Sequence, residues 1–224
     1  MRITIFAASG GIGRHVLSQA VAAKHDVTAV VRDPAKLSAA DRSVRVVAAD
    51  LTAADPQVLA DAVDKADAVI SGLGPRSAAD FGVVSRGTRA IIAAMRATGT
   101  RRILAVSASA VSTVPSPGRP HPPRRDPGEG FVTRNLITPA LKLALRRHYA
   151  DLALMEDMLR DSELDWTVVR PPRLTDRPLT GVYRTAYGQN LRRGTAVPRA
   201  DVAHYLLRAI DDPDSVRQAV GIAT

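Results

Sequence analysis

Short apolar runs and helix-like stretches alternate along most of this 224-residue chain. The runs are rich in Val, Ile and Ala, and each has the length of a strand that is buried on both faces. They cover residues 3–8, 26–32, 44–50, 67–74, 102–109 and 166–172. The stretches between the first five runs have helical spacing, and the third of them ends at Gly99. This alternation restricts the chain to a parallel sheet that is covered by helices.

Right-handed crossovers between parallel strands place helices on both faces of such a sheet. We therefore predict an α/β fold, a Rossmann-type doubly wound parallel sheet, in a single domain over residues 1–224. Within it, residues 1–110 form the dinucleotide-binding core, and residues 111–224 supply the substrate-side loop, helices and last strands. Residues 111–133 are rich in proline and lack periodicity, which is typical of a functional or mobile loop rather than a core element.

Composition excludes several classes of function. The chain has no cysteine, which removes disulfides, thiolate nucleophiles and cysteine-based metal sites and fits a reducing cytoplasm. No uncharged apolar run approaches the roughly 18 residues of a membrane span, and the first strand begins at once, without a signal-peptide pattern. The five histidines show no metal-ligand spacing. We expect a cytoplasmic protein with no membrane partner and no metal.

The formal net charge of +9 raises the question of an anionic partner. No run of Lys and Arg is longer than two residues, and aromatic residues make up only 4% of the chain without interleaving with the basic ones. This pattern does not favour nucleic acid. An anionic or conjugated small molecule explains the same charge. The sequence does not indicate an oligomeric state.

The segment "FAASGGIG" (6–13) lies between the first strand and the first helix. Backbone N–H groups at a helix N-terminus attract anions, and glycine lets the chain turn tightly and approach a pyrophosphate. Glycine turns also end ordinary strands, but the position in the first βαβ unit favours phosphate binding. The predicted cofactor contacts in this turn are Ala7, Ser9, Gly10, Gly11, Ile12 and Gly13.

The end of the second strand predicts which dinucleotide binds. NAD-binding proteins usually carry Asp or Glu there for the ribose 2′-hydroxyl, whereas this chain has Arg32, with Lys36 one helical turn later. Both cations suit a 2′-phosphate, so NADP(H) is the predicted cofactor; the alternative is a solvated turn of mixed charges. Asp33 is expected to face elsewhere. The ends of later strands add the predicted contacts Asp50, Leu51, Gly72, Leu73, Gly74 and Arg76.

These motifs resemble the atypical short-chain dehydrogenases/reductases, and within them the biliverdin-IXβ reductase/flavin reductase family. The resemblance covers nearly the whole chain and rests on "AASGGIG", "VVRDPAKL", "AADL", "GLGPR", "RPPRLTDRPLTG" and "PRADVAHYLL". It implies NADPH as hydride donor and a flavin, linear tetrapyrrole or similar flat conjugated acceptor.

The resemblance also implies residues for the nicotinamide end of the site. Ser107 and Ser109 are the catalytic candidates, although hydrogen bonding at a strand end would equally account for both serines. Pro171 and Pro172 are expected to hold the backbone against the nicotinamide ring. Arg173 is the candidate for the acceptor's carboxylate or phosphate, and a surface ion pair is the alternative for it.

The chain departs from the related enzymes at two points. Ala7 stands where the extended glycine motif has glycine, and we expect tighter packing there rather than lost binding. No lysine lies four residues after any of the four tyrosines, so the Tyr-x-x-x-Lys pair that protonates a carbonyl oxygen is absent. Alcohol–ketone interconversion is therefore not predicted. A flavin or bilin needs mainly alignment with the nicotinamide, and water can supply its proton.

The predicted function is hydride transfer from NADPH to a flat conjugated acceptor. The alternative is an NADP(H)-binding sensor or regulatory protein without turnover, and a third possibility is an isomerase or epimerase that uses the cofactor transiently. The nicotinamide end of the cleft distinguishes the first two. An open slot favours the reductase, whereas a slot filled by the proline-rich segment favours the sensor.

Overall fold

The structure, a computed structural model, describes residues 1–38, 44–75, 80–128 and 144–224. The strands are β1 (Arg2–Phe6), β2 (Asp26–Val31), β3 (Arg45–Ala48), β4 (Ala68–Ser71), β5 (Arg102–Val106), β6 (Asp165–Arg170), β7 (Arg173–Thr175), β8 (Arg184–Tyr187), β9 (Ala196–Pro198) and β10 (Gln218–Ala223). The α-helices are α1 (Gly13–Ala22), α2 (Pro56–Val63), α3 (Val83–Thr98), α4 (Arg146–Arg160) and α5 (Arg199–Arg208).

Eight of the strands form one sheet in the order β3-β2-β1-β4-β5-β6-β10-β8. All neighbouring pairs in it are parallel except β10 and β8, which are antiparallel. β7 and β9 form a separate parallel pair. The chain starts in the middle of the sheet and winds outward both ways, so the strand order reverses between β1 and β4. This confirms the predicted doubly wound fold, with an added antiparallel edge.

Each of the six predicted apolar runs contains a strand, but four strands were not predicted. β10 is the most important of these, because it extends the parallel half of the sheet beside β6. Its alanines and glycine give little strand signal, yet Gly221 has a packing reason: a Cβ there would lie 2.3 Å from the carbonyl oxygen of Gln189.

Apolar layers cover both faces of the sheet. Helices α1 and α5 pack on one face, where Leu17 and Leu206 are fully buried. Helices α2, α3 and α4 pack on the other, around Met95 and Met155. Burial on two sides explains why the strands are continuously apolar rather than alternating. Within the described ranges, no helix is both long and apolar enough to cross a bilayer.

The proline-rich segment is better ordered at its start than we expected. Val111 is completely buried in the core beneath α4, so the expectation of a loop outside the core was wrong for this residue. Farther along, the Ser116 hydroxyl donates a hydrogen bond of 3.0 Å to Asp157 of α4. The same carboxylate accepts a hydrogen bond of 2.8 Å from the N–H of Gly118. Residues 129–133 lie outside the described residues.

Candidate functional site

A cleft of about 1090 Å³ opens at the carboxyl ends of the central strands, where the strand order reverses. It exceeds the roughly 300 to 1,000 Å³ of a site for one drug-sized ligand. Most of the predicted cofactor contacts line it. These are Ala7, Ser9, Gly10, Gly11, Ile12, Arg32, Lys36, Asp50, Leu51, Gly72, Leu73 and Gly74. The fold thus brings four separate turns to the edge where such sheets bind nucleotides.

Other predicted contacts are not part of the cleft lining that the structure describes. The N–H of Ser109 donates a hydrogen bond of 3.0 Å to the carbonyl of Pro171. This bond connects the chain just after β5 to the chain just after β6. Pro172 follows at the same strand end, and Arg173 is exposed at the start of β7. Arg76 lies outside the described residues. The roles of these five residues remain predictions.

Close backbone packing shapes the glycine turn. Ala7 has a φ of +56°, and its carbonyl accepts a hydrogen bond of 2.8 Å from the N–H of Gly10. An alanine in this left-handed region costs roughly 1–2 kcal/mol, which explains why glycine suits this position in related motifs. Helix α1 then begins at Gly13 with no side-chain cap and no acid in its first turn. Its N-terminal N–H groups favour an anion.

Gly13 packs beneath the turn rather than lining the cleft. A Cβ on Gly13 would lie 2.1 Å from the carbonyl oxygen of Ala7, which no packed structure accommodates without a backbone shift. We expect Gly13→Ala to lower the free energy of unfolding by about 2 kcal/mol and to weaken NADPH binding, because the turn must move. Urea denaturation and NADPH fluorescence titration measure the two effects.

The matched control for stability is Gly74→Ala. Among the described residues, a Cβ on Gly74 would meet no atom within 4 Å, so its free energy of unfolding should stay unchanged. Equal stability of the two variants would contradict the packing role of Gly13.

Charged side chains gather at the cleft end beside β2. The Arg32 Nη1 atom lies 3.6 Å from Oδ1 of Asp80, an acid that the sequence analysis missed. Asp33 does not line the cleft; it accepts a hydrogen bond of 3.0 Å from the N–H of Ala35 and lies 3.8 Å from Nζ of Lys36. Both predicted cations therefore reach the cleft, and one of them faces a carboxylate there.

A fixed carboxylate and an apolar surface lie side by side at the next strand end. Asp50 accepts hydrogen bonds from the N–H and the hydroxyl of Thr52, at 3.0 and 2.8 Å. These bonds lower the pKa of Asp50, so it is charged at neutral pH. A Cβ on Gly87 would lie 2.7 Å from Leu73 and 3.1 Å from Leu51, which places both leucines against α3. This strand end presents an apolar face beside a hydrogen-bond acceptor to the cleft.

A buried ion pair lies behind the cleft at the end of β5. Ser107 lines the cleft, and its hydroxyl donates a hydrogen bond of 2.7 Å to Oε1 of Glu156. Arg170 donates to both oxygens of this carboxylate, through Nε at 2.9 Å and through Nη2. Burial on its own lowers the pKa of Arg170, but the hydrogen bond and charge of Glu156 outweigh burial and raise it. Because its proton is engaged, the Ser107 oxygen is left as a hydrogen-bond acceptor.

Arg199 is a cleft residue that sequence reasoning missed. It is the first residue of α5, and its side chain lies over the glycine turn, with Nε 3.0 Å from where a Cβ on Gly11 would be. Its Nη1 atom is 2.9 Å from Oδ1 of Asp176. The segment "PRADVAHYLL" contributed to the resemblance, but only the packing of α5 beside α1 brings this cation to the glycine turn.

The starts of α3 and α4 form a further wall of the cleft that the sequence analysis also missed. Asp151 of α4 accepts hydrogen bonds of 3.0 and 3.1 Å from the N–H groups of Val84 and Ser85, which ties the two helices together. His148 lies in the same wall and is half-buried. Burial lowers the pKa of His148 and outweighs the nearby Asp151, so its imidazole is neutral at neutral pH.

Comparisons with known proteins agree with this geometry. A family profile described as NAD(P)H-binding matches residues 7–213. The oxidoreductase ylbE from Lactococcus lactis is 18% identical, with a TM-score of 0.77 over 100% of this chain and 91% of that chain. ChuY from Escherichia coli O157:H7, an anaerobillin reductase, is 25% identical, with a TM-score of 0.75 over 100% and 97%. SP1627 from Streptococcus pneumoniae TIGR4, a candidate NADH-flavin reductase by name, is 22% identical, with a TM-score of 0.75 over 100% and 99%.

Proposed function

Because the chain belongs to this NAD(P)H-binding family, we propose that it is an NADPH-dependent oxidoreductase that reduces a flat conjugated acceptor, such as a flavin or a linear tetrapyrrole. The observation that carries the proposal is the open cleft beside Ser107. Residues 111–128 do not line it, and their anchoring on Asp157 holds part of the segment elsewhere. No described part of the proline-rich segment fills this end of the cleft, which favours an enzyme over a sensor whose slot is filled. The similarity to ChuY, an anaerobillin reductase, supports the same class of acceptor.

The charges at the adenosine end support NADPH over NADH. Arg32 and Lys36 line the cleft, and a guanidinium can donate two parallel hydrogen bonds to a phosphate. The turn at Gly10 and Gly11, together with Arg199, would hold the pyrophosphate. When bound, the cofactor supplies the hydride.

The contribution of the protein to the chemistry is orientation. The Ser107 hydroxyl donates its hydrogen bond to Glu156, so the Ser107 oxygen is available to accept a hydrogen bond from a carboxamide N–H in the cleft. A group held by a buried ion pair has little freedom to move, which preserves alignment between donor and acceptor. Without a Tyr–Lys pair, the proton that the reduced acceptor takes up comes from water.

The test is oxidation of NADPH by the purified protein, followed by loss of its absorbance. FMN, FAD, riboflavin and biliverdin are offered in turn, with NADH as the control donor. We expect turnover with at least one acceptor, and faster with NADPH than with NADH. Tight NADPH binding with none of the acceptors reduced would contradict the proposal and favour the NADP(H)-binding regulator.

A further inference from the structure

In the cleft wall formed by residues 80–83 and 144–147, several side chains belong neither to the apolar core nor to the predicted cofactor contacts. Phe81 and Leu145 are large apolar side chains with 50% and 42% of their surface exposed, and both line the cleft. Isolated exposed apolar side chains need no explanation. Two of them in one cleft wall, however, provide a surface that the ring system of a ligand can cover.

Two cations lie beside this apolar surface, at a position where the helix dipole disfavours positive charge. Arg146 and Arg147 occupy the first turn of α4, where the helix dipole repels positive charge, and that turn holds no acid. Within the described ranges, neither guanidinium forms an ion pair, whereas Arg32 and Arg199 each face an aspartate. An anion bound at this helix start would relieve the repulsion of both guanidiniums.

The cationic and the aromatic groups of this wall are in contact. The Cζ atom of Arg147 lies 5.9 Å from the centroid of the Phe81 ring, within the range of a cation–π interaction. The start of α3 is tied to α4 through Asp151, so the two sides of this pair are fixed by packing. A ligand ring in contact with Phe81 would therefore lie close to the Arg147 guanidinium.

We propose that Phe81, Leu145, Arg146 and Arg147 bind the acceptor, and that this acceptor carries a carboxylate or phosphate on a side chain of its conjugated ring system. The inference rests on the proposed function and narrows its substrate class. The ring lies against Phe81 and Leu145, and the oxyanion accepts charge-assisted hydrogen bonds from the guanidiniums. This assigns the anion to the start of α4 rather than to Arg173, which is not among the residues that line the cleft.

FMN and riboflavin test the proposal directly, because they share one ring system and differ by a single phosphate. We expect a KM for FMN about tenfold below that for riboflavin, as charge-assisted hydrogen bonds of this kind allow. Raising the ionic strength should raise the KM for FMN and leave that for riboflavin unchanged. Flavin fluorescence anisotropy in the presence of NADP⁺ gives the same comparison at equilibrium, without turnover.

Substitutions test the anion-binding and the ring-binding parts of the site separately. The double variant Arg146→Gln/Arg147→Gln should raise the KM for FMN about tenfold and change that for riboflavin less than twofold. Phe81→Ala should weaken both flavins. Arg89→Gln is the matched control, because Arg89 is an exposed arginine of α3 outside the cleft lining, and both KM values should stay unchanged.

The outcomes distinguish failure of the proposed anion site from failure of the proposed reductase activity. Equal affinity of the protein for FMN and riboflavin would overturn the anion site, whether or not both are reduced. An equal loss for the two flavins in the double variant would overturn it as well. Tighter binding of FMN without reduction of either flavin would support the site while removing the proposed activity.

Discussion

Replacement of Glu156 by leucine is expected to lower the free energy of unfolding by about 3–5 kcal/mol. The Glu156 and Arg170 side chains are only 3% and 5% exposed, so the variant would leave a guanidinium buried without its carboxylate. It would also leave the Ser107 hydroxyl without the acceptor that now lies at 2.7 Å. Urea denaturation of the purified variant measures the loss.

The double variant Glu156→Leu/Arg170→Leu is the control for this prediction. Removing both charges takes away the unpaired guanidinium, so the double variant should be more stable than Glu156→Leu alone. The single variant Arg170→Leu completes the comparison. If the double variant lost as much free energy of unfolding as the two single variants together, the ion pair would not be the cause of the destabilisation. In that case, loss of packing volume would account for the effect.

Replacement of Arg32 by glutamine is expected to reduce kcat/KM with NADPH on the order of 100-fold and to leave kcat/KM with NADH nearly unchanged. A 2′-phosphate would lose its charged partner, and such interactions contribute about 3 kcal/mol when two hydrogen bonds form. NADH has a hydroxyl at that position and gains nothing from the guanidinium. Steady-state kinetics with both donors and one acceptor measures the change in selectivity.

Asp80→Asn is the companion variant, and we expect it to have the opposite effect, a stronger binding of NADPH. The Asp80 carboxylate lies 3.6 Å from the Arg32 guanidinium and competes with a phosphate for it. Removing that charge should lower the KM for NADPH by roughly three- to tenfold, because the phosphate then meets one anion fewer beside Arg32. Equal losses with NADPH and NADH in Arg32→Gln would contradict the assignment of the 2′-phosphate to Arg32.

Local patterns in the sequence were sufficient to predict the first six strands and the glycine turn. A strand buried on both faces has to be continuously apolar, so β1 to β6 could be recognised before any packing was known. The glycine turn and the position of Arg32 depend on residues close together in the chain, and Gly10, Gly11 and Arg32 line the cleft. The resemblance to NAD(P)H-dependent reductases is confirmed by the family match and the similar structures.

The tertiary structure decided which distant side chains share the cleft. Arg199 reaches the glycine turn because α5 packs beside α1, and Glu156 reaches Ser107 because α4 packs along β5 and β6. Phe81 meets Arg147 because Asp151 ties α3 to α4. The sequence by itself determined the first six strands and the glycine turn that follows β1, because hydrophobic period and turn chemistry are local properties. The walls of the cleft depend on how helices that are far apart in sequence pack on the sheet, and no local pattern in the sequence records that packing.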